Sequence, residues 1–166
     1  MSSQILFKDN SLLNCRLDGF NTNKPDLIII DLKLKIKTDL SLFNLSKRRK
    51  ILLVTTINKC KKISFLKKKG VKFIKIKSLK SKKDFLNLFQ FLKKRGFNRI
   101  LVESGLLFLN QLISNKLICN LYLFKTSTNL GKYGFNNTAI SFIKKLKTFK
   151  KIKVNLYGDH LYKIKV

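Results

Sequence analysis

Apolar positions along the chain follow two rhythms. Leu27–Ile30 and Ile51–Thr55 are unbroken runs rich in β-branched residues, which predict buried strands. Val71–Ile76 alternates apolar residues with lysine, the period-two pattern of a half-exposed strand. Arg99–Val102 and Leu117–Phe124 are read as two more strands. Helical periodicity fills the intervals. Lys59–Lys69 is predicted to place Ile63, Phe65 and Leu66 on one helical face and to stop at Gly70. Ser81–Arg95 spaces Phe85, Leu86, Leu88, Phe89 and Leu92 near 3.6 residues and stops at Gly96. Ser104–Asn115 predicts a third helix, so Arg99–Phe124 reads as a strand, helix, strand unit of right-handed, near-parallel type. The tail, Lys151–Tyr157 and Leu161–Val166, reads as a β-hairpin turning at Gly158 and Asp159. The expected architecture is α/β, a sheet flanked by helices and closed by a C-terminal hairpin. No repeat or linker divides it, so residues 1–166 are read as a single domain.

Composition agrees with a globular chain: 166 residues at 45% hydrophobic content can bury roughly two-thirds of the unfolded surface. Charge complicates that picture. Lys and Arg number 37 against 8 acidic residues, a formal net charge of +29, which points to anionic partners. Yet five of those cations are Arg and the rest Lys, beside abundant Asn, Ile and Phe, the imprint of an AT-rich genome. A surface selected to grip phosphate would favour the planar fork of Arg. The lysines of Lys47–Lys50, Lys59–Lys69 and Lys144–Lys153 are interleaved with core-type apolar residues, as on the wet faces of packed elements. The charge is therefore read as background, and a non-catalytic, nucleic-acid-binding protein is kept as the alternative function.

Cys15, Cys60 and Cys119 are widely spaced and lack a CxxC pair, so neither a metal site nor a disulfide framework is indicated. No apolar run approaches the roughly 18 to 20 residues of a membrane helix. A cytoplasmic protein with reduced thiols and no membrane partner is expected.

Chemistry concentrates in three stretches. Arg99-Ile100-Leu101-Val102-Glu103-Ser104-Gly105-Leu106 is a predicted strand that ends in the only glutamate of the chain and turns through glycine into a helix. Free N–H groups at a helix start suit a phosphate, and Gly105 would let the backbone approach one closely. Glu103 also reads as a cap or first-turn carboxylate offsetting the helix dipole. Asp9-Asn10-Ser11-Leu12-Leu13-Asn14-Cys15-Arg16 closes on an arginine able to clamp a phosphate, or is a loop before an edge strand. Asn129-Leu130-Gly131-Lys132-Tyr133-Gly134 is a tight connection or a nucleotide contact.

In order, these stretches resemble the riboflavin-biosynthesis reductases, the C-terminal half of the bifunctional deaminase–reductase. Asp9–Arg16 is similar to that family's Asp-Asp-Pro-x-Leu-Thr-x-Arg segment, and Leu27–Asp31 to the strand that follows it. Arg99–Leu109 resembles its Leu-Val-Glu-Gly-Gly-x-x-Leu, Leu117–Leu121 its Leu-Val-Asp-Glu-Leu, Leu130-Gly131 its Leu-Gly, and Leu156–Leu161 its closing Gly-x-Asp-x turn. The resemblance implies a dihydrofolate reductase-like mixed sheet. It also implies NADPH-dependent reduction of 5-amino-6-(5-phosphoribosylamino)uracil to the ribitylamino product. Carried over by position, Arg16 would hold the substrate phosphate, Leu12 would line the substrate pocket and Glu103 would bind the substrate. Asp9 would contact NADPH, and Gly105, Leu106, Leu107 and Phe108 would receive its phosphates. A small phosphorylated substrate and a homodimer are the partners implied. The sequence departs from the pattern at Ser11, Ser104 and Cys119-Asn120. The family's opening Lys-x-Ala-x-Ser-Leu-Asp-Gly strand and following helix do not occur. No deaminase motif, His-x-Glu or Pro-Cys-x-x-Cys, is present either.

Overall fold

The computed structural model describes residues 25–46, 48–126, 149–154 and 156–165. They belong to two compact units, Met1–Ser104 and Gly105–Val166. In the first unit the apolar runs form strands β1 (Leu27–Ile30) and β2 (Ile51–Thr55), and Lys72–Lys75 forms β3. They make a parallel sheet in the order β1-β2-β3, with Leu27 opposite Ile51 and Leu52 opposite Lys72. Every residue of β2 is buried, as a central parallel strand covered on both faces requires.

Alternation along β2 divides the core. Ile51 and Leu53 join Ile29, the 31–43 crossover through Leu34, Ile36, Leu42 and Phe43, and helix α1 (Lys61–Lys68) through Ile63 and Leu66. Both crossovers thus pack on one face, the outcome of right-handed connections between adjacent parallel strands. Leu52 and Val54 point to the other face. Ile74 sits beside Val54 in the register and lines one cleft with Leu88 of helix α2 (Lys82–Lys94), which also buries Phe85 and Leu92.

Helix ends follow local chemistry. Ser81 caps α2, its hydroxyl accepting from the Asp84 N–H at 3.2 Å while Asp84 accepts from the Ser81 N–H at 3.1 Å, a capping box. Gly70 and Gly96 take φ of +88° and +90°, and the residue after each donates back into its helix, Val71 to Leu66 and Phe97 to Leu92. This left-handed stop is open to glycine without the Cβ penalty.

In the second unit, helix α3 (Leu106–Ser114) precedes strand β4 (Asn120–Lys125), and the hairpin is formed by β5 (Phe149–Ile152) and β6 (His160–Lys165). The sheet is antiparallel in the order β4-β6-β5. Its inner face buries Leu121 and Ile164 against Ile113, with Leu109, Ile118 and Leu123 packed around them.

Several expectations are corrected. Arg99–Val102 is not a strand: residues 97–105 hold no regular structure, and Leu101 is 88% exposed. An apolar run becomes a strand only when a neighbour takes up its backbone groups, and none of the described residues does so here. The parallel strand, helix, strand unit is consequently absent, and β4 pairs antiparallel with β6. Phe65 leaves the buried face of α1, since a helix turns about 200° between positions 63 and 65. It lies 47% exposed, with the Lys69 ammonium 5.1 Å from its ring. Leu86 likewise leaves the buried face of α2. The hairpin strand β5 ends at Ile152 rather than Tyr157, and Tyr157 and Gly158 carry the turn at φ of 50° and 98°. A 3₁₀ turn at Ser41–Leu45, buried through Leu42 and Phe43, had no counterpart in the pattern.

Candidate functional site

Open parallel sheets place ligands beyond the carboxyl ends of their strands. Here that edge is tied by side chains. Asp31, directly after β1 and 4% exposed, accepts a 2.7 Å hydrogen bond from the Ile36 N–H. The Thr55 and Thr56 hydroxyls donate to the Leu32 carbonyl at 3.1 and 2.8 Å. Lys62 donates its ammonium to the carbonyls of Leu34 and Ile36 at 3.0 and 2.9 Å, and Lys69 to that of Thr38 at 3.1 Å. Two lysines of this basic chain are therefore occupied in holding the 31–38 loop. Each ammonium meets a backbone carbonyl dipole, a charge-assisted bond stronger than a neutral one.

A cleft of about 310 Å³ opens where β3 ends. Ile74 and Leu88 supply apolar walls, Lys75 and Lys77 cations, and Phe91 an aromatic side. Asp84 also lines it, but its carboxylate is engaged by the Ser78 hydroxyl at 2.5 Å and by the backbone N–H groups of Lys80 and Ser81. The Ser78 bond first, then the two backbone bonds, hold this carboxyl well below the usual carboxylate range. An apolar floor with a cationic rim admits a small molecule bearing an anionic group. The signal for this cleft was present in the Ser-x-x-Asp spacing of Ser81 and Asp84 beside the Lys75 and Lys77 alternation. Glu103, which the motif resemblance gives to the substrate, is not among the described residues that line it.

Those residues lie elsewhere or outside the described chain. Asp9, Leu12 and Arg16 fall outside the described residues, as does Asn129–Gly134. Glu103 is exposed in the 97–105 segment rather than at a strand end. It does not cap α3: Gly105 is the N-cap, no side chain caps the helix and no acidic residue stands in its first turn. Gly105 has φ of −65°, and a Cβ there would meet nothing within 4 Å, so close packing is not why glycine stands here. That open space leaves the helix start accessible. The Gly105 carbonyl accepts from the N–H groups of Phe108 and Leu109, both at 3.2 Å. The N–H groups of Leu106 and Leu107 precede the first intrahelical donor, Phe108, so no intrahelical carbonyl takes them, and such groups suit a phosphate. Leu107 is 77% exposed and Phe108 half-buried.

Among the described residues no group of three or more His, Cys, Asp or Glu side chains is placed to hold a metal ion. Cys60 and Cys119 are free thiols. No helix among them is long and apolar enough to cross a membrane.

Comparison with solved structures places the fold. RibD from Acinetobacter baumannii is similar with a TM-score of 0.73 at 18% identity, over 99% of this chain and 45% of that chain. A pyrimidine reductase-like protein from Corynebacterium diphtheriae is similar with a TM-score of 0.71 at 16% identity, over 99% of this chain and 73% of that one. The chain thus spans less than half the length of the RibD structure, and the likeness is to its dihydrofolate reductase-like reductase domain. No curated protein matches the sequence. The RibD C-terminal domain family matches residues 1–159, nearly the whole chain, and with the motif order and the fold already in place the chain belongs to that family.

Proposed function

We infer that the chain is an NADPH-dependent reductase of the riboflavin pathway, acting on 5-amino-6-(5-phosphoribosylamino)uracil. The observation that carries this reading is the Glu103-Ser104-Gly105 element running into the accessible N-terminus of α3, inside the region matched by the family. NADPH supplies hydride; the protein supplies alignment and a field. Opening of the substrate ribose leaves an imine-like carbon that accepts two electrons as hydride, while its nitrogen takes a proton. Leu106 and Leu107 N–H groups receive a cofactor phosphate at the positive end of the helix, with Phe108 beside them and Asp9 contacting the cofactor. Glu103 hydrogen-bonds the substrate, Leu12 lines its pocket and Arg16 pairs with its phosphate. Holding donor and acceptor carbon in register contributes several kcal/mol in favourable cases.

Fluorescence titration of the purified chain with NADPH is expected to show saturable binding. Loss of a hydrogen bond to a charged group costs about 1.5–3 kcal/mol, so Glu103→Gln and Arg16→Ala should each lower turnover about ten- to a hundredfold with little change in NADPH affinity. No NADPH signal, or unchanged turnover in both variants, overturns the assignment. The alternative of a nucleic-acid-binding protein without catalysis gains ground only if the cofactor fails to bind while a short duplex is held in a salt-sensitive way.

A further inference from the structure

We propose that the outer face of the antiparallel sheet β4-β6-β5 binds single-stranded nucleic acid, stacking bases on Tyr122 and Phe124 between lysines. Directly opposed residues of antiparallel strands share a face. The pairs Leu121–Ile164 and Leu123–Tyr162 belong to the side that carries the core contacts with Ile113 and Leu109. The pairs Tyr122–Lys163 and Phe124–Leu161 therefore belong to the other side, joined there by Lys150 opposite Lys163 and Ile152 opposite Leu161. Solvent sees that side: Tyr122 is 49% exposed and Phe124 68%.

The face is ordered in rows. One row across the strands reads Tyr122, Lys163, Lys150, with the Lys163 ammonium 5.9 Å from the Tyr122 ring. The next reads Phe124, Leu161, Ile152. A cationic row beside an apolar, aromatic row is what a strand of phosphates with splayed bases requires. The two rings lie two residues apart on one strand, about 7 Å along it, so neighbouring unstacked bases can each meet one. Charge selects the occupant. A second copy would bring the Lys150 and Lys163 rows of two chains of net charge +29 together, whereas a polyanion neutralises them. A duplex satisfies the lysines but keeps its bases stacked on each other, beyond reach of the rings. This site is independent of the reductase reading, and neither stands or falls with the other.

Fluorescence anisotropy with labelled 12-nucleotide oligo-dT, oligo-rU and a duplex of the same length tests it. Tyr122→Ala and Phe124→Ala leave the charge unchanged and remove only exposed rings, so circular dichroism should match the parent. Each is expected to weaken single-strand binding about ten- to a hundredfold while duplex binding holds. Phe124→Leu, which keeps an apolar strand residue, should weaken it as well. The oligo-dT and oligo-rU arms decide between DNA and RNA, and a ring-dependent affinity in either supports the site. Single-strand binding unaffected by the ring substitutions, or lost in equal measure with duplex binding, overturns it. So does a dimer in sedimentation that dissociates on Tyr122→Ala, since the face would then belong to a second copy.

Discussion

Asp84 shows how one side chain serves a helix and a cleft. Its carboxylate closes the capping box of α2 and accepts from Ser78, while the same residue lines the opening beyond β3. Because its pKa is depressed in the folded protein, the unfolded chain, with an ordinary value of about 3.9, takes up the proton first as pH falls. The carboxylate thus stabilises the fold fully above about pH 5, and that contribution is lost progressively through pH 4 and below. Urea midpoints measured from pH 6 to pH 2 should fall on the acid side, and the fall should be shallower in Asp84→Asn. Parallel curves for the two proteins would contradict this account. Asp31 has a comparable structural task but a less visible one. In sequence it reads as the turn residue after a strand, and only the folded loop reveals its buried bond to Ile36.

Elements differ in how far their local pattern carried. β1 and β2 were legible residue for residue as unbroken apolar runs, although only β2 is buried throughout and β1 buries Ile29 alone. α2 was legible to within a residue at each end, since Ser81 and Gly96 mark its limits chemically. The Arg99–Val102 run has the same apolar character as β1 and yet remains irregular, with Ile100 and Leu101 exposed. Hydrogen exchange separates these cases. Amides of residues 51–55 should exchange only with global unfolding, and those of 99–102 near the rate of an open chain. Slow exchange at 99–102 would mean that a partner strand pairs with this segment in solution. Glu103 follows from the same failure: the sequence places it at a strand end, and without the strand it stands in an exposed segment just before α3.

At the scale of the whole molecule, the charge of +29 acts against compaction. The exposed Lys50–Asp26 pair, at 3.9 Å, offsets little of it. Raising sodium chloride from 0.1 to 1 M shortens the screening length from about 10 Å to about 3 Å. The melting temperature should rise over that range, and a flat or falling curve would show that self-repulsion is not a significant cost. Structure also changes the meaning of the lysines. Lys62 and Lys69 hold carbonyls of the 31–38 loop, and Lys150 and Lys163 form a row on an open sheet face. A uniform compositional background therefore has distinct uses that composition does not distinguish.

The sequence by itself determined the α/β class, the three helices, the strands β1 and β2, the closing hairpin and the order of family motifs. Each rests on local periodicity, turn chemistry or residue identity, which near neighbours in the chain specify. Tertiary structure decided that Arg99–Val102 stays unpaired, that β4 runs antiparallel to β6, that Asp31 and Asp84 are engaged, and that Tyr122 and Phe124 face solvent. The reason is that strand pairing, burial and the availability of a charge depend on residues distant in sequence. No local pattern records which of them arrive.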